Sequence, residues 1–208
     1  MIWYYWLAII GLGVCLLSCA YHFYRIISLG NPPEYARRSG HIGKAVRYSF
    51  TGAMSPKAKE SAYLHLPTYM AGIMYHIGTF LAIALFLFAM AGIWPHGIWM
   101  YGTAGILLLS FLCGMGIFFK RLGKHELRSL SNPDDYISNI LVTSFQLFTV
   151  LAMFEAIFLP AYFTVSAILL LYFPMGKLKH AVYFFAARYH LGYFYGWRDV
   201  WPPKPIKK

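Results

Sequence analysis

Acidic residues are scarce. Asp and Glu number 7 among 208 residues, and charged residues of both signs make up 12%. A soluble domain carries roughly a quarter of its residues charged, so this deficit excludes an ordinary water-soluble fold and puts the chain in lipid. Cysteine is rarer still, at 3. Cys15 and Cys19 lie four apart, Cys113 lies far downstream, and no CxxC pair occurs. Thiolate metal centres are usually built from such close pairs. No iron–sulfur cluster is therefore expected within the chain, and the cysteines read as small apolar residues in helix interfaces. No internal repeat and no intramembrane ion pair is apparent, which argues against a small transporter. The first twenty residues have no basic stretch and no clear small-residue cleavage site, so they read as a retained helix.

What is present is apolar: 59% of residues are hydrophobic. Five runs approach or exceed the roughly twenty residues that cross a bilayer as a helix. They cover Ile2 to Phe23, Tyr63 to Ile93, Ile98 to Phe119, Tyr136 to Leu159 and Ala161 to Phe185. The expectation is an all-α integral membrane protein, a bundle of five transmembrane helices forming a single domain over 1–208. Trp94-Pro95-His96-Gly97 reads as a tight outer turn, Leu159-Pro160 as the separation of the last two helices, and Asn31-Pro32-Pro33 as a break in the first loop. Ser131-Asn132-Pro133-Asp134-Asp135 reads as a helix start, with proline and acids in the first turn.

Basic residues fix the orientation. The formal net charge of +11 gathers in the gaps between runs. The first loop holds Arg25, Arg37, Arg38, Lys44, Arg47, Lys57 and Lys59, and the third holds Lys120, Arg121, Lys124 and Arg128. The C-terminal segment holds Lys177, Lys179, Arg188, Arg198, Lys204, Lys207 and Lys208, whereas the second and fourth connections hold none. The positive-inside rule then places the N-terminus outside and the C-terminus in the cytoplasm. Trp3, Tyr4, Tyr5, Trp6, Trp94 and Trp99 fall where an outer aromatic belt belongs. Such a charge pattern suits anionic lipid and a cytoplasmic partner, and excludes nucleic acid as the expected ligand.

Eight histidines in so apolar a chain need a reason. Two neutral imidazoles from facing helices hold a haem iron without any thiolate, and ionisable residues inside a bilayer point to function. His65 and His76 stand in or near the second run, eleven apart, on nearly one face and about 16 Å apart along the axis. His180 and His190 stand at the end of the fifth, ten apart and separated by about 15 Å. In this topology His76 and His180 both fall in the inner half of the membrane, and His65 and His190 lie nearer the cytoplasm. Plainer alternatives exist for each. His76 could be a core histidine bonded to a neighbouring helix, His180 an interfacial residue beside Lys177 and Lys179, and His65 and His190 hydrated at helix ends. His22, His41, His96 and His125 sit in or near loops.

The segment Met74-Tyr75-His76-Ile77-Gly78-Thr79-Phe80 resembles the second-helix haem motif of the membrane cytochrome b subunit of respiratory nitrate reductase, its gamma subunit. Lys120-Arg121-Leu122, followed by Leu127-Arg128-Ser129-Leu130-Ser131-Asn132-Pro133-Asp134-Asp135-Tyr136, is similar to that family's loop between helices three and four. Phe173-Pro174-Met175-Gly176-Lys177-Leu178-Lys179-His180 resembles its fifth-helix motif. The likeness runs from about Tyr63 to Pro203, and the Asn-Pro-Asp-Asp-Tyr form is more similar to relatives serving heterodisulfide-reductase-like and sulfite-reduction-linked complexes.

The resemblance implies a haem b held by His76 and His180 as axial iron ligands, in a multi-pass subunit of the prokaryotic cytoplasmic membrane. It implies electron transfer between menaquinone or another quinone and a cytoplasmic iron–sulfur subunit of heterodisulfide-reductase-like type. The family's outer haem needs histidines where this chain has Phe86 and Tyr162, and the missing pair also unsettles the family's outer quinol site. The chain would then carry one haem, or build a second from His65 and His190. Arg121, Lys124 and Arg128 could meet haem propionates, and Glu155 could take a quinol proton. Against the electron-transfer subunit stands a haem-free membrane anchor of a redox complex, in which replacing His76 leaves assembly intact.

Overall fold

The computed structural model describes residues 3–30, 33–56 and 64–203, and these contain helices and turns with no strand. In chain order the helices are α1 (Trp3–Ser28), α2 (Ile42–Phe50), α3 (Leu66–Met90), α4 (Ile98–Gly123), α5 (His125–Ser129), α6 (Pro133–Phe154), α7 (Leu159–Tyr172) and α8 (His180–Trp197). Short 3-10 turns lie at Gly52–Met54, Ala156–Phe158 and Lys177–Lys179. The run starts at Ile2 and Tyr63, the Asn31-Pro32 break, Lys57, Lys59, Lys204, Lys207 and Lys208 lie outside the described residues.

Helices α1, α3, α4 and α6 are each long and apolar enough to cross a bilayer. The segments Ala156–Tyr172 and Lys177–Trp197 pass the same test only as a pair, which gives four spans, or five if the pair is one. The continuous fifth helix expected over Ala161 to Phe185 is therefore corrected. Pro174 lacks an N–H and clashes with the carbonyl four residues back, so α7 stops at Tyr172. The N–H groups of Met175 and Gly176 both donate to the Tyr172 carbonyl, at 3.0 and 2.9 Å, and close the turn. Smaller corrections concern ends, among them the helix from Ile98, which continues to Gly123 and not only to Phe119, and the helix from Leu66, which stops at Met90. The first helix runs on to Ser28, and the fourth runs from Pro133 to Phe154, five residues short of Leu159. Pro160 lies in the first turn of α7, where its missing N–H costs nothing.

The chain divides into two compact units, Met1–Ser18 with Pro67–Leu178, and Cys19–Leu66 with Lys179–Lys208. In the first unit α4 packs on α6 and α6 on α7. Glycine and hydroxyl residues permit the close approach. A Cβ on Gly78 would strike Ser110, and one on Gly114 would strike the Tyr75 ring and Thr143 Oγ1, which is how small residues bring helices together in lipid. The start of α6 is closed by a capping box: Asp135 N–H donates to Asn132 Oδ1 at 3.0 Å, and Asn132 N–H to Asp135 Oδ2 at 3.1 Å.

Along the inner face of α6 runs a polar column. Gln146, fully buried, donates to Thr79 Oγ1 at 2.9 Å and to the Tyr75 carbonyl at 3.3 Å. Tyr75 Oη lies 2.9 Å from Thr143 Oγ1 and donates to the Asn139 carbonyl at 3.1 Å. Asn139 Nδ2 reaches the Gly114 carbonyl at 3.3 Å, and Ser110 Oγ the Tyr75 carbonyl at 3.2 Å. These bonds tie α6 to α3 and α4, because polar groups without water must find partners inside the protein.

The second unit is built on α2 and α8. Ser49 Oγ donates to the Arg188 carbonyl at 2.7 Å, and Gly192 and Gly196 face Val46 and Ala45 at close range. The segment after α1 is tied to the end of α8: Trp197 Nε1 donates to the Ala36 carbonyl at 2.6 Å, and Arg198 Nη2 pairs with Glu34 at 2.8 Å. The Ala36 N–H, and then the Arg198 guanidinium, hold the Glu34 carboxyl below its ordinary range. A lowered carboxyl contributes stability that is complete above the ordinary range and is lost as pH falls through the lowered value. Hydrogen exchange should therefore show Ala36 protection falling below about pH 4. In Glu34→Ala, which removes the acceptor, protection should be low at every pH, and an unchanged acid step in that variant would remove Glu34 as its source.

Candidate functional site

His76 lies in the first unit on α3, ten residues past Leu66 and so about 15 Å along the helix. It stands on an exposed face, and its Nδ1 is 2.7 Å from the Gly72 carbonyl. A carbonyl only accepts, so Nδ1 carries a proton and donates, which in the neutral ring leaves the lone pair on Nε2. That arrangement is the one in which a ligating imidazole is oriented by its other nitrogen. A Cβ built on Gly72 meets nothing within 4 Å, so the surface one turn before His76 is bare. The site thus offers a fixed imidazole with an uncommitted nitrogen on an apolar span, beside open space. An imidazole ligand to haem iron fits these residues.

Phe86 and Tyr162, where the resemblance would require the outer pair of histidines, are brought together. Their ring centroids are 6.3 Å apart, edge to face, with 3% and 0% of each residue exposed. Phe145 stacks on Tyr162 at 6.0 Å, Trp94 contacts it at 5.7 Å, and Phe163 adjoins at 4.9 Å. Aromatic rings fill the volume between these two positions.

His65, His180 and His190 belong to the second unit. His65 is exposed, immediately before α3, and His180 is the exposed first residue of α8. His190 is half-buried, ten residues along α8, and lines an apolar cleft of about 390 Å³ with Phe23, Ile26, Ile27, Ala186 and Tyr189. His65 is not part of that cleft. His22, placed near a loop by sequence, is within α1, with Nδ1 3.3 Å from Tyr183 Oη. None of the eight histidines is fully buried. Among the described residues no three His, Cys, Asp or Glu side chains converge as a metal-binding group, so histidine ligation here means pairs. Comparison of the chain with family models, curated proteins and solved structures finds no match.

Other candidates separate cleanly. Gln146 is committed to the polar column, and Glu155 ends α6 exposed. Of the basic loop, Lys124 and Arg128 are exposed, while Arg121 Nη1 pairs with Asp135 Oδ2 at 3.1 Å and donates to Ser131 Oγ at 3.3 Å. Lys177 also pairs with Asp135, and Lys120 donates to Thr68 Oγ1. Sequence reasoning missed this shared carboxylate, which requires knowing that the ends of α4, α6 and α7 meet. It also missed α2, although Ile42, Ala45, Val46 and Ser49 follow the helical period of one buried face.

Proposed function

We propose that the chain is a haem b-containing subunit of a respiratory complex in a prokaryotic cytoplasmic membrane. It would cross five times with its C-terminus in the cytoplasm and carry electrons between membrane quinone and a cytoplasmic iron–sulfur partner. The observation that carries this reading is His76: an imidazole on an apolar span whose Nδ1 is satisfied by its own helix while Nε2 is left available. His76 and His180 are the assigned iron ligands, His180 on its motif alone. When bound, haem supplies one-electron chemistry that no side chain here provides. The chain's share is to hold and orient the imidazoles and to exclude water through the apolar spans. The aromatic packing of Phe86 against Tyr162 supports absence of an outer haem, and His65 and His190 remain the candidate ligands for any second one. The basic loop residues favour docking of an iron–sulfur subunit, by resemblance heterodisulfide-reductase-like.

The exposure of His76 and His180 favours a second reading, a haem-free anchor. One experiment separates the two. Reduced-minus-oxidised spectra of the purified protein, with haem b quantified as the pyridine haemochromogen, should give one haem per chain. His76→Ala and His180→Ala should each abolish it. Two haems would make His65 and His190 ligands, whereas none would leave the anchor.

A further inference from the structure

A second cleft, of about 340 Å³, opens in the first unit where α3 begins, α4 ends and α6 begins. Lys120, Arg121, Lys177 and Asp135 line it, with Leu127 and Leu130. Three cations against one carboxylate leave it two charges positive. The polar contacts already described hold the cations around the rim: Lys120 on Thr68, Arg121 on Ser131 and Asp135, and Lys177 on Asp135. The apolar side is open. Leu130 is 84% exposed, and Ile117 continues the lining along α4. A cationic hollow of this kind, at the ends of apolar spans and with exposed leucines beside it, matches a ligand that joins an anion to acyl chains.

We propose that this cleft binds the phosphate headgroup of an anionic phospholipid, with Lys120, Arg121 and Lys177 around the phosphodiester and Leu127 and Leu130 against the acyl chains. Charge-assisted bonds from lysine and arginine suit such an anion, and basic hollows among membrane helices on the cytoplasmic side are recognised sites for acidic lipid. The assignment is independent of haem.

Native mass spectrometry of the full chain in neutral detergent tests it, with phosphatidylglycerol, phosphatidylcholine and inorganic phosphate as probes. Phosphatidylglycerol should be retained at least tenfold better than phosphatidylcholine. Lys120→Gln should weaken its retention about fivefold, as should Leu130→Glu, whose exposed position leaves the fold undisturbed. Lys124→Gln, the same charge change outside the cleft, should alter it less than twofold. Three results would overturn the proposal. Equal retention of the two lipids would remove the charge preference, and an effect of Lys124→Gln as large as that of Lys120→Gln would make the attraction diffuse. Displacement of the lipid by millimolar phosphate would mean a free-anion site.

Discussion

Replacing Gly192 with leucine should strip α2 from α8. A Cβ on Gly192 would lie against the backbone Cα of Val46, with Val46 N at 2.9 Å, and Gly196 makes a similar approach to Ala45 and Ile42. Backbone cannot turn aside as a flexible side chain can. Overpacking normally costs about 1–3 kcal/mol, and with backbone as the obstacle the upper end applies. That is enough to raise the open population of this contact by more than tenfold. Lys44 and Arg47 are exposed on α2 but held in helix. Brief tryptic digestion of the folded protein should cut after them more than tenfold faster in Gly192→Leu. Gly43→Leu, on α2 itself with nothing within 4 Å of the new Cβ, is the control and should change nothing. Equal cleavage of wild type and Gly192→Leu would refute the close-packed α2–α8 contact.

Asp135→Ala should be the most damaging single change at the basic end of the first unit. This carboxylate accepts from the Asn132 N–H, pairs with Arg121 at 3.1 Å and pairs with Lys177, while its side chain is only 6% exposed. Loss of the reciprocal half of the capping box costs under about 1 kcal/mol, because Asn132 still accepts from the backbone N–H of residue 135. Unpairing two cations adds more, discounted because Arg121 and Lys177 are 30% and 54% exposed, so a total of roughly 2–3 kcal/mol is expected. In a chain of this size that lowers the unfolding midpoint by about 4–10 °C, measurable by thermal scans in detergent. Asp135→Asn keeps an acceptor for the cap but not the charge, and should lose about half as much. Glu126→Gln, on exposed α5, should lose nothing measurable. In Asp135→Asn the cleft also becomes one charge more positive, so retention of acidic lipid should rise while stability falls. The two effects having opposite signs separates lipid binding from mere folding.

The sequence was legible where a local signal decides local structure. Asn132-Pro133-Asp134-Asp135 reads as a helix start because its cap is made within four residues, and the structure closes that cap. The apolar runs read as long helices because composition alone carries the signal. Legibility ended where two local signals competed. Over Ala161 to Phe185 hydropathy argues for one helix while Pro174 argues for a break, and the proline prevails because its lost hydrogen bond and steric clash are not offset by apolar surroundings. The short α2 was lost because a nine-residue helix among loop charges draws its stability from docking on α8, not from its own propensity. Of the candidate site, the histidines were visible as residue types. The hydrogen bond of His76 to its own helix was not, since any helical histidine has a carbonyl four residues back and only rotamer and surroundings select the contact. Glycine roles were equally hidden. Gly78 and Gly114 serve helix contact, while Gly72, Gly102, Gly105 and Gly116 face open space.

The polar column on α6 bears on how such a chain would enter a membrane. The amide nitrogens of Gln146 and Asn139 donate to groups on α3 and α4, and both of those helices precede α6 in the chain. When synthesis delivers α6, its acceptors are already in place, so these amide N–H donors need never dwell unpaired in hydrocarbon. The order of the helices is thus part of the solution to a solvation problem. A circular permutation that released α6 first would place the same residues in the same final structure, but only after Gln146 had waited in lipid without a partner, at a cost of several kcal/mol.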